Sequence, residues 1–128
     1  MNSEINKDNI PNPIGPYTPV IKIENLIFIS GQIASTIDLN NSDNDISIQT
    51  TEILNNIKYI IEHANAKIEN IIKTTLFIID LKHLNTINKI YKSFFLNHST
   101  RFPTRSCIGV SKLPNNALIE IEAIAYKK

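Results

Sequence analysis

Apolar positions change period along the chain, and the changes mark its elements. Tyr17–Ile23 and Leu26–Ile33 are β-rich runs separated by Glu24-Asn25, which predicts a hairpin. Ile53, Ile57, Ile60, Ile61 and Ala64 then recur at helical spacing. Asp45 or Ser47 stands where it can cap that helix, and Asn65 where a left-handed residue can close it. Ile71–Ile79 is the most strand-like run, and Leu84, Ile87, Ile90, Tyr91 and Phe94 form a second amphipathic helical stripe. Two more strands, Pro103–Val110 and Ala117–Ala125, flank a Pro114-Asn115-Asn116 turn. Met1–Gly15, with Pro11 and Pro13, reads as an irregular arm, and Asp38–Asp45 as a solvated loop.

Alternation sorts the side chains of the last two strands. Ile119, Ile121, Ala123 and Ala125 share an apolar face, with Leu118, Glu120, Glu122 and Ile124 opposite; Arg105, Cys107 and Gly109 share a face of the preceding strand. If the apolar face packs on helices, the other face is expected to collect a cation, a thiol and two carboxylates. Glu120 or Glu122 could then pair with Arg105. The expected fold is α+β: one mixed sheet with two helices on one face. Should the strands flanking the first helix run parallel, their crossover should be right-handed. The uncovered face is not purely polar, and such a face could be hidden against copies of the same chain.

Composition narrows the chemistry. A chain of 128 residues predicts one domain over 1–128. A formal charge of +1 argues against a duplex-binding protein, which would carry a basic stripe. The one cysteine, Cys107, allows no internal disulfide and fits a reducing compartment. The N-terminus is polar and no run is long and apolar enough to span a bilayer, so a soluble cytoplasmic protein is expected. His63, His83 and His98 lack metal-ligand spacing, and Gly15, Gly31 and Gly109 form no phosphate loop, so no metal, nucleotide or flavin is expected. Arg105 offers a planar two-pronged donor suited to a carboxylate. Glu120 and Glu122 are acid/base candidates, because like charge and burial both raise a carboxylate pKa. Cys107 reads as a small apolar residue rather than a nucleophile.

The run Pro103-Thr-Arg-Ser-Cys-Ile108 through Ile119-Glu-Ile-Glu-Ala123 resembles the signature of the YjgF/Rid superfamily, most closely its RidA (reactive-intermediate deaminase) branch. Ile14-Gly-Pro-Tyr17, Ile29-Ser-Gly-Gln-Ile33, Lys73-Thr-Thr-Leu-Phe77 and the stretch Asn88–Phe95 are similar to the family's other blocks, in the family's order. The resemblance implies a chorismate-mutase-like fold and a homotrimer with active sites in the clefts between subunits. It implies that Arg105 binds a substrate carboxylate and Glu120 holds a water. Tyr17, Ser30, Gly31 and Asn88 would line the cleft, with Cys107 contributing mainly backbone, and Glu122 receives no role. The implied reaction is cofactor-free hydrolysis of 2-aminoacrylate, 2-iminopropanoate and 2-iminobutanoate, released by pyridoxal-phosphate-dependent dehydratases, to 2-keto acids and ammonia. Such an activity would belong to amino-acid metabolism as metabolite damage control. The superfamily also includes translation inhibitors with RNA-cleaving activity and stress-linked holdases. Nucleic acid is not expected here, because no basic stripe or exposed aromatic strand suits it. A binding sensor without turnover is the third reading; Glu120 beside an intact Arg105 favours the enzyme.

Overall fold

The computed structural model describes residues 2–4 (backbone only), 15–35 and 45–128. Six strands and two long helices follow one another as β1 (Asn2–Glu4), β2 (Val20–Ile23), β3 (Leu26–Gln32), α1 (Ile46–His63), β4 (Ile71–Ile78), α2 (Leu84–His98), β5 (Thr104–Gly109) and β6 (Ile119–Tyr126). The sheet runs in the order β1-β2-β3-β6-β4-β5. β6 lies antiparallel between β3 and β4, which makes those two parallel to one another, and β4 pairs with β5 in parallel through α2. The fold is therefore α+β with a mixed sheet, as the alternating periods predict.

Local chemistry sets the boundaries. Asp45 caps α1, accepting from the backbone N–H of Ser47 at 2.6 Å and of Ile48 at 3.3 Å. Ala64 ends the helix and Asn65 follows in the left-handed region at φ 61°. Glu24 in the β2–β3 turn, and Asn115 and Asn116 before β6, also take positive φ. The strand predicted from Tyr17 begins only at Val20, because Pro19 has no N–H to give the ladder. Asn2–Glu4, read as part of an irregular arm, instead adds an antiparallel edge strand to β2. Apart from Asp45, the Asp38–Asp45 loop lies outside the described residues.

Both helices cover one face. Ile53, Ile57, Ile60 and Ile61 of α1 and Ile87, Tyr91 and Phe95 of α2 pack with Ile27, Ile29, Leu76, Ile78, Ile119, Ile121, Ala123 and Ala125 in one core. The opposite face carries exposed Ile23, Leu26, Phe28, Ile108 and Tyr126, joined across the strands by half-buried Phe77 and Ile124. Among the described residues no helix is long and apolar enough to cross a membrane.

Candidate functional site

Register corrects the expectation that Arg105, Cys107, Glu120 and Glu122 share a face. Arg105 pairs with Thr74 and Cys107 with Leu76, and both partners belong to the helix-covered side. Glu120 pairs with Phe77 and Glu122 with Thr75, one pleat out of phase and on the open side. Parallel pairing of β5 sets that phase, and neither strand's own alternation encodes it. Among the described residues no carboxylate lies within ion-pair range of Arg105, so neither Glu120 nor Glu122, the two that could have paired with it, does so within the chain.

The candidate residues instead gather at two places. The first is a cavity of about 400 Å³ between α2 and β5, lined by Asn88, Tyr91, Lys92, Phe102, Pro103 and Arg105. The Arg105 guanidinium carbon lies over the Tyr91 ring, 4.9 Å from its centroid, within cation–π range. The buried Oδ1 of Asn88 receives no hydrogen bond. Cys107 stands two residues along β5 at the margin of the core, and burial pushes its thiol pKa up while Arg105 works against that shift. A raised thiol pKa disfavours the thiolate, in line with Cys107 as a small apolar residue.

The second place is a cavity of about 350 Å³ on the open face, lined by Tyr17, Ser30, Gly31, Ile33, Pro114, Glu120 and Glu122. It is built on a bulge: between Ile29↔Ala123 and Gln32↔Ile121, β3 spends one residue more than β6. Ser30 and Gly31 occupy the bulge. The Ser30 hydroxyl donates to the Thr18 carbonyl at 2.7 Å, so its proton is held by the scaffold. A Cβ on Gly31 would stand 2.8 Å from the Glu120 carboxyl carbon, so glycine is what lets this backbone meet that carboxylate. Burial, and then the Glu122 charge, raise the Glu120 pKa. Both causes move the half-buried carboxyl above an ordinary glutamate, the direction that suits a group that takes a proton and gives it back.

The seven candidates thus divide. Arg105, Asn88 and Cys107 sit on the helix side, and Tyr17, Ser30, Gly31 and Glu120 sit on the open side with Glu122. Tyr91 escaped the sequence reading because it sits in the apolar stripe of α2. Its spacing of three from Asn88, which puts both on one helix face, was the available signal. Phe102 and Lys92 carried no pattern of their own. Among the described residues no cluster of His, Cys, Asp and Glu could hold a metal.

Comparison with known proteins covers the whole arrangement. The family model described as endoribonuclease L-PSP matches residues 7–127. A RutC family protein of Buchnera aphidicola (from Acyrthosiphon pisum) is 50% identical over 128 residues, all of both chains. The 2-iminobutanoate/2-iminopropanoate deaminase of Escherichia coli K12 is 40% identical, again over 100% of both. The crystal structure of Escherichia coli TdcF with bound serine superposes with a TM-score of 0.88 at 38% identity, covering 98% of this chain and 99% of that one.

Proposed function

The chain belongs to the endoribonuclease L-PSP (YjgF/Rid) family, and from that premise we propose that it hydrolyses 2-imino acids and their enamine tautomers, such as 2-iminobutanoate and 2-iminopropanoate, to 2-keto acids and ammonia. The observation that carries this reading is the state of Arg105: a guanidinium without an ionic partner among the described residues, lining a cavity of about 400 Å³. A small substrate with a carboxylate supplies the partner that the guanidinium lacks. The relative named as a 2-iminobutanoate/2-iminopropanoate deaminase supports that choice.

Arg105 binds the carboxylate in two-pronged fashion, in the cavity that Asn88 also lines. Glu120 takes a proton from a water as its oxygen attacks C2, and the C=N double bond becomes a single bond. The carboxyl then returns that proton to nitrogen, the C–N bond breaks as the C2 hydroxyl oxygen forms the carbonyl, and the hydroxyl proton passes through the Glu120 carboxylate to the departing ammonia, which leaves as ammonium. One water is consumed and no electrons change hands. An iminium carbon is already electrophilic, so general acid–base catalysis worth about 10²–10⁴-fold, aided by positioning, is a sufficient demand.

Because Arg105 and Glu120 lie on opposite faces, the complete site needs two copies of the chain. The α2–β5 edge of one meets the bulge and Glu120 face of the next, and three copies close the ring. The exposed Leu26, Phe28, Ile108 and Tyr126 give the open face the apolar area that such an assembly buries. The partners are then small imino acids, further copies of the chain, and the pyridoxal-phosphate-dependent dehydratases that release such substrates; the compartment is the cytoplasm.

The test is a coupled assay in which threonine dehydratase generates the imine from threonine or serine and keto-acid appearance is followed. Acceleration by the wild type, absent with Arg105→Ala, is the expected result. No acceleration by folded wild-type protein with either amino acid would overturn the proposal.

A further inference from the structure

We propose that Tyr91 is the positioning residue of Arg105, holding the guanidinium ready for a carboxylate without occupying the hydrogen bonds the carboxylate needs. The inference rests on the reading of Arg105 as the carboxylate-binding group.

Arg105 is exposed, on an edge strand, and has no ion pair among the described residues. A free arginine side chain samples many rotamers, and a bidentate fit tolerates little misplacement. The contact that holds it is the Tyr91 ring, 4.9 Å below the guanidinium carbon. The ring is itself fixed. Tyr91 is only 5% exposed, its hydroxyl shares a 2.6 Å hydrogen bond with Thr74 Oγ1, and the Phe95 ring leans on it at 4.6 Å between centroids. Thr74 is 1% exposed and is the residue directly paired with Arg105 across β4 and β5. Three contacts therefore close a triangle: backbone pairing joins Thr74 to Arg105, the hydroxyl bond joins Tyr91 to Thr74, and the ring face joins Arg105 to Tyr91.

Chemistry explains why a ring rather than a carboxylate does this. A glutamate would hold the arginine through its in-plane N–H groups, and the incoming carboxylate would have to displace it. A ring-face contact draws on the positive charge and takes up none of the N–H donors, which stay available to a ligand in the cavity that Arg105 lines. The two buried hydroxyls satisfy one another, so the anchor adds no unpaired polar atom to the core.

The experiment compares Tyr91→Phe with Tyr91→Met. Both lose the hydroxyl and leave Thr74 equally unpartnered, and they differ in whether a ring remains. Three quantities are read on folded protein of each: the affinity for the product 2-oxobutanoate, KM and kcat in the coupled assay, and the ring-current shift of the Arg105 side-chain N–H and CH₂ signals by NMR. Tyr91→Phe is expected to keep affinity within about twofold and to retain the shift. Tyr91→Met is expected to lose the shift and to weaken binding and raise KM by about 3- to 10-fold, with kcat little changed, since Glu120 is untouched. Thr74→Val, with the ring intact, should fall between wild type and Tyr91→Met. Equal affinities for the Phe and Met variants, or no ring-current shift in the wild type, would overturn the inference. Failure of the wild type itself to bind 2-oxobutanoate would overturn the carboxylate reading first and this inference with it.

Discussion

Arg105 and Glu120 project from opposite faces of one sheet, two strands apart. Phe77 pairs with both Glu120 and Ile108, and Arg105 lies three residues before Ile108, so the two Cα atoms are separated by about 10 Å across the strands and about 10 Å along them. Neither side chain can reach a ligand held by the other within one chain. In a ring, each cleft would draw its arginine from one copy and its glutamate from the next.

Mixing should therefore restore activity. Arg105→Ala and Glu120→Gln proteins are each expected to be inactive alone. Unfolded and refolded together in equal amounts, they should recover about a quarter of wild-type activity, since a random cleft inherits both intact residues with that frequency. Recovery of nothing from correctly assembled mixtures would place the site within one chain.

Arg105→Lys keeps the charge and loses the planar fork. Activity in the coupled assay should fall by about tenfold or more, through KM above all, while thermal stability stays close to wild type, because Arg105 is exposed and has no ion pair to lose among the described residues. Undiminished activity would count against the two-pronged clamp.

Glu120 links activity and stability to pH in opposite senses. As a base it must be ionised, so the rate should fall on the acid side with an inflection above the ordinary glutamate value. Folding raises its pKa, so its stabilising contribution is complete below the unfolded carboxylate pKa and is lost as pH rises through the folded one. Glu120→Gln should lower kcat by about 10²–10⁴-fold. The same variant should raise Tm at neutral pH, and the gain should vanish near pH ~4, where the wild-type carboxyl is protonated. A Tm difference independent of pH would contradict the raised pKa.

Gly31→Ala places a methyl 2.8 Å from the Glu120 carboxyl carbon, and the carboxylate must move aside. A displacement near 1 Å should reduce kcat by about 10²-fold with far less effect on unfolding free energy. Unchanged kcat would show that the close approach has no part in placing Glu120.

Asn65 tests the scaffold apart from the site. Its φ of 61° costs an L-residue with a Cβ about 1–2 kcal/mol unless the side chain bonds locally. Its carbonyl also accepts from the Lys127 ammonium. Asn65→Ala should lose about 1 kcal/mol in denaturant unfolding and Asn65→Gly close to none. Equal losses would shift the cause from backbone conformation to the asparagine side chain.

The sequence by itself determined the two long helices, the strands from β2 to β6 and the inward faces of α1 and β6. Helical spacing of Ile53, Ile57, Ile60 and Ile61 and alternation of Ile119, Ile121, Ala123 and Ala125 are local properties, and the buried stripes fall on those residues. Asp45 and Asn65 marked the ends of α1 for the same reason: capping is decided within one turn. The candidate side chains were legible as types, an arginine, a glutamate pair and a glycine beside a serine. Tertiary structure alone decided how they combine. The phase of β5 against β4 comes from a parallel pairing routed through α2, and it sends Arg105 to the helix side and away from Glu120. The bulge that sets Gly31 against Glu120 exists only once β3 and β6 are in register. Tyr91 belongs to the apolar stripe of its helix, and only the packing of α2 on β4 and β5 turns its ring toward Arg105 and its hydroxyl toward Thr74.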